Sequence, residues 1–274
     1  MWTALRGLGA LVLTSLLLTA TASAGDALTA LEPVYDITHF DVIPFTSPVD
    51  SEQIAYAALF AYRDASRSDP GLESFRIINW LAAPNHSFIV DVYNNRDAFE
   101  QHLAQRHSVK FRFSVQDLPA ADGGCCIGSP IDDRQYSLVE SIGTPWISTK
   151  LPKAVGPTAS AAFVLIYIDF LQEVLEDFGA GVGQHQLVQY GATTSNMNGK
   201  HLLDYTVLRQ LDRPNRYVVL EVWDTAANYN AWQSSSVTAS FVAQIKPLLG
   251  SPPDYRVNSL CGKTYVDGTG CTPP

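Results

Sequence analysis

Positive charge is scarce in this sequence: 18 Lys plus Arg stand against 27 Asp plus Glu, a formal net charge of −9 over 274 residues. Nucleic-acid binding needs a basic footprint that displaces counterions from phosphates, so nucleic acid is excluded as a partner and a polyanionic substrate is a poor match. Long apolar runs are scarce too. Beyond the run at 8–18, no segment approaches the roughly 20 apolar residues of a membrane span. The six His include no pair at i, i+4 and no cluster with Cys at zinc spacing, and no Gly-x-Ser-x-Gly elbow is present. The glycine-rich stretch 179–183 lacks dinucleotide spacing, has no Gly-Lys-Ser/Thr directly behind it, and reads as a helix entry. Hydrolase and metalloenzyme readings are therefore poor, and neither a metal nor another cofactor is expected.

Cysteine is limited to Cys125, Cys126, Cys261 and Cys271. The N-terminus explains why these read as disulfides. Arg6, the apolar run 8–18 and the small residues Ala22-Ser23-Ala24 form a leader with a cleavage point before Gly25. An uncleaved anchor helix is the competing reading of residues 1–24. An exported protein, periplasmic or secreted, is expected, with no membrane span left after cleavage. In that setting four cysteines point to two disulfides rather than a thiol active site. Three pairings are open. Bridges between the 125–126 pair and the C-terminal pair are preferred, and a vicinal 125–126 bridge with a local 261–271 bridge is the competitor.

The chain repeats itself. At an offset of 128, Asp41 meets Asp169, Leu59 meets Leu187, Tyr62 meets Tyr190 and Gly71 meets Gly199. At an offset of 130, Phe75 meets Tyr205, Pro84-Asn85 meets Pro214-Asn215, Val92 meets Val222 and Phe111 meets Phe241. Near the ends the offset is 122, where Gly128-Ser129-Pro130 meets Gly250-Ser251-Pro252 and Arg134 meets Arg256. The drift locates an eight-residue insertion in the first repeat that carries Cys125 and Cys126.

Each repeat reads strand, helix, strand, strand, helix, strand. The first has strands over 37–43, 75–81, 88–93 and 134–142, with helices over 54–67 and after Asn94, the expected N-cap. The second has strands over 163–169, 205–211, 217–223 and 256–260. Its helices span 184–194 and 226–249, the latter capped by Asp224 and broken near 234–236. The βαββαβ order predicts an α+β fold of two tandem ferredoxin-like repeats packed as a pseudo-dimeric α/β barrel, the two sheets enclosing a cavity. The organisation is a leader at 1–24, a first repeat at 25–142, a Pro-containing linker at 143–161, a second repeat at 162–260 and a Cys-containing tail at 261–274.

Three elements together carry a resemblance: the Arg213-Pro214-Asn215 turn, the Glu221-Val222-Trp223 strand and the Gly250-Ser251-Pro252-Pro253-Asp254 segment. The first repeat adds Asp91-Val92-Tyr93, Ala98-Phe99-Glu100-Gln101-His102, His107 and Gly128-Ser129-Pro130-Ile131-Asp132. The chain resembles the antibiotic biosynthesis monooxygenase domain family of dimeric α/β barrels, in two copies. The resemblance implies oxygenation of a small aromatic or quinol-type compound by dioxygen without metal or flavin. Some members of that family degrade haem, so a non-catalytic binder of a planar apolar ligand, haem included, is the alternative. The family pattern is split between the halves. The first keeps His102 and His107 but has Asp91 and Tyr93 for Glu and Trp; the second keeps Glu221 and Trp223 but has Trp232 and Val237 for the histidines.

Oxygenation without a cofactor needs a base to ionise the substrate and an apolar pocket for its rings. His102 is the first candidate base. His107 lies five residues on, about 140° round an ideal helix, so one straight helix does not aim both at a single substrate. His39, on the first strand and facing as Asp41 does, is the third candidate. Trp80, Tyr93, Trp223 and Trp232 are candidates to line the cavity, with Asp91 and Glu221 as its carboxylates. A self-complementary chain is expected as a monomer, or as a homodimer through leftover sheet edges.

Overall fold

The computed structural model describes residues 32–42, 51–83, 85–116, 132–143, 161–172, 181–260, 265–266 and 270–271. The expected leader, most of the expected linker, Cys125, Cys126, Cys261 and the Cys271 side chain lie outside the described residues, and the expected disulfides with them.

The first repeat runs β1 (Val34–Asp41), α1 (Ser51–Ser66), β2 (Leu72–Trp80), β3 (His86–Tyr93), α2 (Arg96–Ala104), α3 (Arg106–Gln116) and β4 (Asp132–Gly143). The second runs β5 (Ala162–Asp169), α4 (Gly181–Asn198), β6 (Leu202–Gln210), β7 (Arg216–Trp223), α5 (Ala226–Gln233), α6 (Ser236–Ile245), a 3-10 turn (Lys246–Leu248) and β8 (Asp254–Leu260). A short hairpin, β9 (Tyr265–Val266) with β10 (Gly270–Cys271), follows.

The eight long strands close an antiparallel barrel in the order β1-β3-β2-β8-β5-β7-β6-β4. Each repeat supplies four neighbouring strands, so the pseudo-dimeric α/β barrel of tandem ferredoxin-like repeats is the observed fold. The seams are unequal. β4 pairs with β6 from Tyr136↔Gln210 to Gly143↔Asp204, whereas β2 and β8 share only Ile78↔Leu260, Asn79↔Ser259 and Trp80↔Asn258. Closure gives every barrel strand two neighbours, so the sheet edges expected to serve a homodimer are used within the chain.

Burial on both faces explains the strand composition. In β3 and β7 every residue after the first is buried, and such strands read as near-continuous apolar runs rather than alternating ones. One face fills the barrel with residues such as Tyr35, Ile37, Phe88, Val90, Tyr136, Leu165 and Leu220. The other lies beneath helices, with Phe40, Tyr56, Leu59, Tyr62 and Ile89 in the first repeat and Leu187, Tyr190, Tyr205 and Trp223 in the second. The barrel interior is thus a packed core. Tyr93 and Trp223 face away from it, beneath different helix layers, so the four aromatics expected to line one cavity do not share one.

Two local expectations shift. Asn95, not Asn94, caps α2, its side chain accepting from the Ala98 N–H at 2.8 Å. Thr225, not Asp224, caps α5 by accepting from Asn228 N–H at 3.1 Å. The helix break expected near 234–236 is present, with Ser235 capping α6. It recurs in the first repeat, where Gln105 adopts an extended φ of −65° and ψ of 145° between α2 and α3. Gln105 carries no cap-forming side chain of the Ser/Thr type, so the break is silent in the sequence there.

Helix α4 approaches the sheet closely at Gly191. A Cβ there would meet the Tyr205 ring at 2.2 Å, and Tyr205 is fully buried with its hydroxyl donating to the Leu187 carbonyl at 2.9 Å. Gly191→Ala is expected to destabilise the fold by about 1–3 kcal/mol through overpacking, read as a lowered urea midpoint with an unchanged m-value.

Candidate active site

The β1–β3 register sets Asp36 opposite Asp91 beneath the helices of the first repeat. Both are almost wholly buried. Burial raises the Asp91 carboxyl well above its ordinary value, with the Asp36 charge adding to it, and burial with the Asp133 charge raises Asp36. Burial and mutual repulsion both favour the protonated form of such a pair. Thr38 Oγ1 lies 3.1 Å from Asp36 Oδ2 and 2.8 Å from Asp133 Oδ1, and the Arg112 guanidinium pairs with Asp133. The Tyr93 hydroxyl donates to Asp91 Oδ2 at 2.9 Å.

Beside Tyr93 stands a chain of four side chains. His102 is 1% exposed and its ring centroid lies 5.0 Å from that of Tyr93. Its Nδ1 is 2.5 Å from Asp69 Oδ2, and its Nε2 is 2.6 Å from the Tyr62 hydroxyl. Burial lowers the His102 pKa below the imidazole value of 6.5, against the opposing hydrogen bond to Asp69. The neutral ring thus donates from Nδ1 to Asp69 and accepts from Tyr62 at Nε2. His107 Nε2 donates to the same Asp69 oxygen at 2.9 Å. Tyr62 is packed flat on Phe111, centroids 4.4 Å apart.

Each member is placed by a local feature. Asp69 sits in the turn that ends α1, its N–H bonded to the Ser66 carbonyl at 2.9 Å. Gly71 completes the turn at φ 77°, where a Cβ would meet Ala98 Cβ at 2.5 Å and Asn94 Oδ1 at 2.6 Å. The break at Gln105 turns His107 back toward Asp69. The expectation that His102 and His107 point apart is therefore corrected: the bend brings both onto one carboxylate. Sequence reasoning missed Asp36, Tyr62 and Asp69. The signal for Asp69 was its position at an offset of 128 from Met197, a change that accompanies His102 to Trp232 and His107 to Val237.

The same place in the second repeat is apolar. Trp232 is 5% exposed, and the Tyr190 hydroxyl bonds Thr238 Oγ1 at 2.9 Å while its ring stacks on Phe241 at 4.0 Å. Glu221 is fully buried, its carboxyl pushed up to about 7 by desolvation, partly opposed by the Trp223 indole N–H donating to Oε2 at 2.7 Å. Among the described residues, this place has carboxyl and indole but no histidine.

His39 and Trp80 belong to a third place, one mouth of the barrel. His39 follows Tyr35 and Ile37 on the inward side of β1 and lines a cavity of about 260 Å³ with Arg134, Tyr136, Tyr167 and Arg256. The Arg256 guanidinium lies 5.4 Å from the Trp80 ring centroid. Burial lowers the His39 pKa. The structure thus joins His102, His107, Asp91 and Tyr93, and separates them from His39 and Trp80, and from Glu221, Trp223 and Trp232. Among the described residues two His–Asp–His groups have metal-ligating atoms within 4.8 Å of one another: Asp69 with His102 and His107, and His39 with Asp41 and His86. Linear spacing shows neither, because the ligands come from different elements.

No curated protein matches the chain's sequence. Solved structures share its fold. A candidate monooxygenase from Fusobacterium nucleatum superposes with a TM-score of 0.64 at 15% identity, covering 84% of this chain and 92% of that one. An anthrone oxidase-like protein does so at 0.59 and 12%, covering 84% and 92%. A candidate monooxygenase from Lactobacillus acidophilus does so at 0.56 and 14%, covering 84% and 94%. The sequence pattern of the antibiotic biosynthesis monooxygenases matches residues 45–112 and again 166–244, together more than half of the chain, one match in each half of the barrel. With the order of helices and strands the same in both halves, the chain belongs to the antibiotic biosynthesis monooxygenase family, in two copies.

Proposed function

We propose that the protein is an exported, cofactor-independent monooxygenase in which the first repeat is catalytic and the second is a structural partner. Family membership supports monooxygenase-like chemistry in general. The observation that carries the finer reading is the chain Tyr62–His102–Asp69–His107 beside the Asp36–Asp91 pair. The substrate is a small phenol- or quinol-type aromatic whose hydroxyl takes the place now held by the Tyr62 hydroxyl at His102 Nε2. His102 removes the hydroxyl proton, and Asp69 stabilises the imidazolium. His107, 22% exposed, donates its own Nε2–H to Asp69 and holds that carboxylate in place, and the imidazolium later returns its proton to the oxygen that departs as water. The electron-rich anion reacts with dioxygen: one oxygen atom becomes a ring carbonyl, the other leaves as water, and the substrate supplies all the electrons. Tyr93 and Phe99 give the aromatic wall, their centroids 5.5 Å apart. Oxygen uptake with a panel of phenols, quinols and anthrones tests this; no uptake above background with any of them sinks the proposal.

Tyr62 serves here as a placeholder. Tyr62→Phe is expected to keep kcat within a few-fold and to lower stability by about 1 kcal/mol, the net value of one hydrogen bond. Loss of turnover in this variant would instead put the phenol in the chemistry.

A second reading has its own support: His102 Nε2 is already occupied, as suits a protein that binds a planar apolar ligand, haem included, without turning it over. His102→Gln separates the two, because a binder keeps its affinity and has no turnover to lose. Export rests on the leader at 1–24, and N-terminal sequencing of protein from its own host, expected to begin at Gly25, tests it.

A further inference from the structure

At the barrel mouth, His39 and Asp41 on β1 and His86 on β3 converge. The register pairs Asp41 with His86 and His39 with Phe88, so all three sit on one rigid antiparallel ladder. His39 Nε2 lies 3.1 Å from Asp41 Oδ1, and His86 Nδ1 contacts the same oxygen. These contacts lack the directions of hydrogen bonds. His39 Nε2, Asp41 Oδ1 and His86 Nδ1 are each shielded from solvent, and none makes a hydrogen bond. The parent side chains are only 24–28% exposed. Three buried donor atoms aimed at one another, with no proton well placed between them, are the arrangement that a cation completes.

The second repeat supplies an internal control. His39 corresponds to Tyr167, Asp41 to Asp169 and His86 to Arg216. There the acid is kept and neutralised outright, Arg216 Nε lying 2.8 Å from Asp169 Oδ1. The first repeat has the same acid at the same corner but two imidazoles in place of the guanidinium and the phenol. The rings are held in position: His39 stacks on Phe88 at 4.7 Å, and His86 stacks on His39 at 5.7 Å with the Trp80 edge 5.5 Å away. The Asp69–His102–His107 group differs, because its nitrogens are engaged in hydrogen bonds with Tyr62 and Asp69.

We infer that His39 Nε2, Asp41 Oδ1 and His86 Nδ1 form a binding site for one divalent transition-metal ion. Two imidazoles and a carboxylate suit Zn²⁺, Co²⁺, Ni²⁺ or Cu²⁺ rather than Mg²⁺ or Ca²⁺. Three protein ligands leave a coordination position open, and His39 also lines the 260 Å³ cavity, so a small anion or water fills that position from the barrel mouth. This inference is independent of the oxygenation reading, which concerns the opposite face of the same sheet.

Untagged, chelator-treated protein titrated with Co²⁺ and monitored by visible absorption, then challenged with Zn²⁺, tests the site. One equivalent of Co²⁺ is expected to bind and to be displaced by Zn²⁺. His86→Arg copies the ion pair of the second repeat, so it is expected to fold, shown by an unchanged circular dichroism spectrum, and to weaken binding at least about 100-fold. His39→Ala and Asp41→Asn are expected to do the same, and His107→Ala to leave binding unchanged. No stoichiometric binding by the wild-type chain overturns the proposal. So does affinity that survives His86→Arg, or affinity that is lost in His107→Ala instead.

Discussion

His102→Gln is expected to lower kcat for oxygen uptake by about 100- to 10,000-fold, the range that a positioned general base contributes, with KM changed far less. The reason lies in the two nitrogens. Asp69 accepts the hydrogen bond of Nδ1–H, which leaves Nε2 as the acceptor at the substrate position. Glutamine fills the space and reaches one partner, but its amide has no basic nitrogen. The same geometry sets the pH profile. Burial lowers the His102 pKa below 6.5, so the acid limb of kcat/KM is displaced to lower pH than an ordinary imidazole would give. Steady-state kinetics of both proteins from pH 5 to 9, with a thermal melt of each, are the measurement. Unchanged turnover in a folded His102→Gln variant would remove the base from the mechanism. An acid limb lying above 6.5 would show that another group controls it.

Glu221→Gln is expected to stabilise the protein at pH 8 by up to about 3 kcal/mol, because burial pushes the Glu221 carboxyl up to about 7 and ionising it there costs stability. The unfolded chain ionises this carboxyl near 4.5, while the folded chain holds its proton to about 7. Between those values the native state binds a proton that the unfolded state has lost, so stability falls as pH rises through the window. Below 4.5 the carboxyl is protonated in both states and the variant has no advantage. Glutamine keeps an acceptor for the Trp223 indole N–H, which donates to Glu221 Oε2 at 2.7 Å, and it removes the charge. Urea melts at pH 4.5 and pH 8 read the difference directly. A variant less stable than wild type at pH 8 would mean that the ionised carboxylate is satisfied in the folded protein. Asp91 occupies the matching position in the first repeat, also buried and also raised. There the destabilising group adjoins a base, which is where a functional site is expected to carry local cost.

The two repeats differ at matching positions. The second has Glu221 and Trp223 beneath a helix face of Trp232, Val237 and Thr238, while the first has His102 and His107 joined by Asp69 from the turn after α1. Division of labour between halves is open to a duplicated chain and closed to a homodimer, whose sites are identical by symmetry.

The βαββαβ order, the duplication and the family were all legible in the sequence. Apolar periodicity and β-branched content are local signals, and a repeated pattern reports a repeated fold whatever its environment. Element boundaries moved by only a few residues. The helix break was visible where three serines announce it, at 234–236, and invisible at Gln105, where the same bend has no special chemistry. That one silent bend reversed the prediction for His107. Only tertiary structure brought Asp69 to His102, Asp36 to Asp91 and His86 to Asp41, because strand register and a turn at Gly71, not spacing along the chain, set those distances. It also decided that the sheets would join edge to edge and fill the barrel with side chains. As a result, aromatics read as the lining of one cavity face two separate helix layers and a barrel mouth. Sequence determines which faces must be buried; what they are buried against depends on how the sheets close.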